Sequence, residues 1–236
     1  MTIASNLSRI HEQMFAACRA AGRAEAEVAL MAVSKMHSAE AVREAFAAGL
    51  RLFGENRVQE WQEKSSSLGE LFGEAAADRA RMHLIGPLQS NKTNRAAELF
   101  DAIDSVDSLK IAARLNSAAS AAGKKLPVVI EVKLSHETSK HGIAPEQLQE
   151  LLRALAPLEA IVPSGLMTVP PWSEDAEAAR PYFRELRRLR DESLAACPTL
   201  TQLSMGMSND FAVAIEEGST CVRIGTAIFG KRKIPA

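Results

Sequence analysis

Cysteine is scarce in this sequence. The three cysteines among 236 residues, Cys18, Cys197 and Cys221, are odd in number and far apart. They form no C-x-x-C pair, which speaks against a disulfide scaffold and against a cysteine-rich zinc site. The five histidines likewise show no metal-ligand spacing. Long apolar runs are missing, since none approaches the roughly 18 residues that a membrane span needs. The start, MTIASNLSRIHEQM, has no basic-then-apolar signal region. A reducing, cytoplasmic location is therefore expected. An excess of one charge is missing too. Lys plus Arg number 28 and Asp plus Glu 29, a formal net charge of -1. Gripping nucleic acid or an anionic membrane is then not the main task of the chain. The basic triplet at 231–233 reads as a solvated tail, and RELRRLR at 184–190 as an exposed helix face. The stretches 65–67 and 75–77 read as the ends of a surface loop. What is present is ordinary for a globular protein, 47% hydrophobic and 24% charged residues.

The opening stretch to about Ala21 reads as an amphipathic helix. Leu7, Ile10, Met14 and Ala17 lie at helical spacing and Gly22 is a stop. After it, short apolar runs rich in branched residues alternate with stretches of helical period. Strand-like runs lie at 28–34, 50–53, 82–85, 102–106, 127–134, 160–167, 200–205 and 221–224. Helical patterns fill the intervals, as with Val42, Ala45, Phe46 and Gly49 after the first run. Pro181 is expected to kink the helix after the sixth run or to make it start afresh. Unbroken apolar strands are those buried on both faces, and strands separated by helices pair in parallel. Eight repeats close a barrel, usually of about 250 residues. The expected fold is therefore α/β: a single (β/α)8 TIM-type barrel domain over 1–236 with an extra N-terminal helix. An open doubly wound sheet is the runner-up.

In such a barrel, reactive residues gather at the carboxyl ends of several strands. Lys35 ends the first run. It is either a solvated strand end or an amine in the barrel mouth, where lost hydration lowers its pKa and frees it to attack a carbonyl. Ser208 stands before a helical segment, and Gly225-Thr226 follow the eighth run. These are the loops where barrels commonly hold phosphate, although a Ser in that place also serves as a helix cap. Arg223 interrupts an apolar strand and needs acceptors. It pairs either with Glu131 or Asp104, or donates to a ring nitrogen. A lysine, a phosphate cradle and a ring-nitrogen partner are together what pyridoxal 5'-phosphate (PLP) requires.

The segments AVSKMHSAEAVREAFAAGLRLFGENRVQEWQEK, HLIGPLQSNKTNRA, SVDSLK, ETSKHGI, SGLMTV and LSMGMSNDFAVAIEEGSTCVRIGTAIFGKR closely resemble the pyridoxal-phosphate homeostasis proteins. Those look like the amino-terminal barrel of alanine racemase standing alone. The resemblance runs from about Val28 to Arg232. It implies that Lys35 holds PLP as an internal aldimine, with phosphate contacts from Ser208, Gly225 and Thr226. It also implies a contact from Asn56 near the ring hydroxyl, and Arg223 facing the pyridine nitrogen. Two departures stand out. Met36-His37-Ser38 replaces the usual Thr, polar residue and Pro after the lysine, and Lys133 stands where Asn is expected. Lys133, like Lys140, is a second amine expected near the mouth.

A racemase needs proton donors on both faces of its substrate, and the resembling racemases take a tyrosine from a second domain. The sole tyrosine here is Tyr182, in the helix after the sixth run. The opposing base is missing, so the reading leans away from an enzyme. What is expected is storage or delivery of PLP in vitamin B6 homeostasis, with PLP and PLP-dependent apo-enzymes as partners. Neither nucleic acid nor membrane is expected as a partner, and the chain should be a monomer. The alternatives are a low-activity amino-acid racemase using His83, His136 or His141, and a phosphate-binding barrel without pyridoxal.

Overall fold

The computed structural model describes residues 2–72, 78–135, 137 and 141–230. The expected loop end at 75–77, His136, Lys140 and the basic triplet at 231–233 lie outside the described residues. Helix α1 (Ile3–Ala20) begins at Thr2, whose hydroxyl accepts from the Ser5 N–H. It ends at Gly22, where φ is +65° and a side chain would be strained. Eight strands follow: β1 (Ala29–Val33), β2 (Leu52–Glu55), β3 (Arg81–Leu84), β4 (Ala102–Val106), β5 (Leu126–Glu131), β6 (Ile161–Met167), β7 (Gln202–Ser204) and β8 (Cys221–Ile224). Between them run α2 (Ala39–Ala47), α3 (Val58–Ser65), α4 (Gly69–Phe72), α5 (Thr93–Leu99), α6 (Leu109–Ala121), α7 (Leu148–Leu155), α8 (Arg180–Ser193) and α9 (Phe211–Glu216). Helix α10 (Thr226–Phe229) closes the described chain.

Neighbouring strands pair in parallel, and β1 closes on β8 with Ala29 opposite Cys221 and Met31 opposite Arg223. The barrel therefore replaces the open sheet as the solution to burying eight apolar strands. Strand faces that point outward pack under the helices, where Leu115, Leu148, Phe183 and Leu186 are fully buried. Val33, Glu131 and Arg223 face the mouth. By the two-residue period of a strand, buried Met31, Val129 and Cys221 form the layer beneath them.

Several expected boundaries move: the fifth strand stops at Glu131 rather than at 134, and the seventh narrows to Gln202–Ser204. The second strand is shifted toward its carboxyl end, because its last residue, Glu55, is fully buried although charged. Hydropathy cannot announce such a residue. The stretch 65–67 is the end of α3 and a turn rather than the edge of a surface loop. Pro181 starts a helix afresh: a 3-10 turn at Ala176–Ala179 leads into α8, and the proline sits in the first turn, where its missing N–H has no partner to lose. Helix α1 lies outside the repeat and packs against α9 and α10, with Asn6 Nδ2 donating to the Ile228 carbonyl at 2.8 Å. Among the described residues, no helix is long and apolar enough to cross a membrane.

Candidate functional site

A cavity of ≈ 520 Å3 opens at the carboxyl ends of the strands. Lys35, Asn56, Ser208, Arg223, Gly225 and Thr226 all line it. Six residues spread over nearly two hundred positions of sequence thus meet in one place.

Lys35 follows β1 and is half-buried at the rim. Asn56 follows β2, and its backbone lies hard against Gly86 after β3. A Cβ on Gly86 would come within 2.4 Å of the Asn56 carbonyl oxygen, so only glycine leaves that loop where it is. Arg223, 4% exposed, is the most deeply held of the six. Its Nη1 donates to the Ser204 carbonyl at 2.5 Å and to Ser204 Oγ at 2.7 Å, and its Nη2 donates to the Thr168 carbonyl at 2.8 Å. Burial pushes its pKa down, while Cys221, Asp104, Glu131 and Asp210 oppose that shift. A guanidinium nonetheless stays protonated. Of the two acids expected as ion-pair partners, Asp104 hydrogen-bonds His83 Nδ1 at 3.1 Å, and Glu131 lines the cavity beside the arginine.

Ser208 departs from its expected role as a cap for the helix that follows it. Asp210 is the N-cap residue of α9, and its Oδ1 accepts from the Met207 N–H at 2.6 Å. The Ser208 hydroxyl instead accepts from the Ala227 N–H at 3.4 Å, at the start of α10. The loops after β7 and β8 are joined in this way, with a hydroxyl, Gly225 and Thr226 around one opening. A Cβ on Gly225 would sit 3.2 Å from the Val33 carbonyl oxygen, so a side chain there would crowd β1.

Several lining residues escaped the sequence reading. Asp210 is 8% exposed, and burial pushes its carboxyl above the usual range, opposed by the Met207 N–H and by Arg223. Only its neighbourhood to Ser208 could have pointed to it. Trp172 lines the cavity while 74% exposed, and its one signal was an aromatic after two prolines in a polar loop. Asn209 Nδ2 donates to the Ser173 carbonyl at 2.9 Å and ties that loop to the one after β7. Conversely, Lys133 does not line the cavity. Its N–H is taken by the Ile143 carbonyl at 2.8 Å in the bridge that follows β5. Tyr182 sits on α8 away from the lining residues, and of the two described candidate histidines only His141 reaches the cavity. Among the described residues, no group of three His, Cys, Asp or Glu side chains is placed to hold a metal ion.

The closed parallel barrel is the fold shared with solved alanine racemases, and the chain matches the alanine racemase N-terminal domain family over residues 6–233. Within this class, the chain belongs to the pyridoxal phosphate homeostasis proteins. The protein of that name from Pseudomonas aeruginosa is 46% identical over 232 residues, covering 98% of this chain and 96% of its own. The one from Aquifex aeolicus is 42% identical over 234 residues, covering 99% and 100%. PipY of Synechococcus elongatus PCC7942, solved with PLP bound, superposes with a TM-score of 0.85 at 39% identity, over 97% of this chain and 100% of that one.

Proposed function

We propose that this chain binds PLP in the barrel mouth and serves vitamin B6 homeostasis by storing or delivering it, acting as one domain over 1–236. The observation that carries the reading is the single cavity lined by Lys35, Asn56, Ser208, Arg223, Gly225 and Thr226. The residues fit the cofactor. A cation held by three hydrogen bonds lies at the base, a glycine and two hydroxyls lie at one end, and an amine stands at the rim. When bound, PLP supplies an aldehyde that condenses with amines and a ring that withdraws electrons. Lys35 offers the amine for attachment. Ser208, Gly225 and Thr226 would hold the phosphate, and Asn56 would contact the ring hydroxyl. Arg223 would donate a hydrogen bond to the ring nitrogen but could not release a proton to it, which would weaken electron withdrawal and suits holding over chemistry.

Recipients of the cofactor are PLP-dependent apo-enzymes, and the chain acts as a monomer in the cytoplasm, where the free Cys18, Cys197 and Cys221 stay reduced. His141 at the cavity favours one second reading, a slow racemase with that imidazole opposite Lys35. An absorbance spectrum after adding PLP tests both readings. A band near roughly 420 nm, expected of a lysine-bound cofactor, should vanish in Lys35→Ala. D- or L-alanine should keep its configuration over hours. Turnover of about 1 per second or more, lost in His141→Ala, would establish the racemase instead.

A further inference from the structure

The backbone on both sides of Lys35 is held by charged side chains that do not line the cavity. Before it, Ser34 Oγ donates to Glu55 Oε1 at 2.7 Å, and the Ser34 carbonyl accepts from Lys64 Nζ at 3.0 Å. After it, the Met36 N–H donates to Glu60 Oε1. Lys64 Nζ joins the two halves, reaching Glu55 Oε1 at 2.9 Å and Glu60 Oε1 at 2.7 Å. Its three ammonium protons are thus matched by three acceptors. The side chains of Glu55, Lys64 and Glu60 are 0%, 12% and 22% exposed. Glu55 Oε2 is buried without a partner.

Burying three charges is costly, and apolar residues could seat α3 on the barrel as well. Besides tying α3 to β2 through Lys64 and Glu55, these charges hold Ser34 and Met36. Met36 shows why fixing is needed. Among the described residues it is the sole non-glycine with positive φ, at +62°. L side chains avoid that region, and such strain persists only where the surroundings impose it. The Met36 side chain is 55% exposed, so packing does not impose it. The turn closed by the His37 N–H donating to the Ser34 carbonyl at 3.1 Å requires it, and the bond from the Met36 N–H to Glu60 holds the peptide within that turn. Burial pushes the Glu60 carboxyl up, but the hydrogen bonds from Lys64 and Met36 together with the charges of Lys64 and Arg57 hold it below the usual range.

We propose that Glu60 and Lys64 on α3 are positioning residues for Lys35, locking the 34–36 backbone so that its amine points into the mouth. The inference rests on Lys35 being the attachment point of PLP. Its test compares wild type with Glu60→Ala, Glu60→Gln and Lys64→Met, the last being a second variant should Glu60→Ala fail to fold. The readouts are circular dichroism of the Lys35-dependent absorbance band, the rate at which hydroxylamine removes PLP, and hydrogen exchange of the Met36 amide in the PLP-free protein. Glu60→Ala and Lys64→Met should release PLP about ten- to a hundredfold faster, the range that a misplaced reacting group typically shows, with an altered dichroic band. Met36 amide protection should fall in Glu60→Ala and return in Glu60→Gln, which keeps an acceptor. Glu185→Ala, which breaks an exposed ion pair on α8, should change none of these. Wild-type release rates and dichroism in both Glu60→Ala and Lys64→Met would overturn the inference and leave PLP binding standing. A wild type without any Lys35-dependent band would overturn both.

Discussion

Arg223 shows what a single residue contributes here. Its guanidinium satisfies two carbonyls and a hydroxyl at the ends of β6 and β7, and it is the cation beneath the cavity. Replacing it by methionine keeps much of the volume but removes the donor to Ser204 Oγ and the Thr168 carbonyl, and leaves the Ser204 carbonyl with the longer bond from the Thr168 N–H at 3.4 Å. Arg223→Met is therefore expected to cost about 1–3 kcal/mol, the usual penalty of buried unsatisfied groups, measurable by urea unfolding of the PLP-free protein. It should also weaken PLP retention. Arg223 and Lys35 were legible in sequence because a charge at the end of, or inside, an apolar run is conspicuous. Glu60 and Lys64 were not. In a helix of mixed polarity, nothing distinguishes a charge that grips the backbone beside Lys35 from one that faces water.

At the scale of elements, the strands were readable because burial on both faces leaves runs such as VALMAV at 28–33 and PVVI at 127–130 without polar interruption. Their ends were less readable, as β2 shows by finishing on Gly54 and Glu55. The loops carry the site, and their placement depends on close approaches. Gly86→Ala should push a methyl group into the Asn56 carbonyl, which lies 2.4 Å from the ideal Cβ. The expected result is a loss of about 1–3 kcal/mol, as for overpacked positions, seen in thermal unfolding, together with weaker PLP binding by titration. Gly123→Ala, where nothing lies within 4 Å, is the contrasting variant. Its φ of +67° brings backbone strain alone, so stability should fall without a matching loss of PLP.

The whole molecule is closed by contacts between distant segments. On the flank of the barrel, Glu217 after α9 accepts from Arg180 Nη1 at 2.6 Å and from Arg184 Nε at 3.1 Å on α8. Burial pushes its carboxyl up, but these two arginines outweigh that and hold it below its ordinary value of 4.5. A depressed folded pKa means stability that is present above that value and lost as pH falls through the folded pKa. Unfolding midpoints followed from pH 6 down to about 3 should therefore fall less steeply in Glu217→Gln than in wild type. Equal slopes would show that this contact carries no pH dependence.

By itself the sequence determined the eightfold alternation of strand and helix and singled out Lys35, Ser208, Arg223, Gly225 and Thr226 for the mouth, with Asn56 added by the family resemblance. Both are local: burial writes itself into hydropathy period, and residue type limits chemistry. Tertiary structure alone decided who meets whom. It turned Ser208 toward Ala227 instead of its own helix, kept Glu131 in the cavity and left Lys133 out, and brought α3 under the peptide that carries Lys35. Those meetings depend on closure of the barrel and on where each strand stops against its neighbour, quantities that no local pattern of residues encodes.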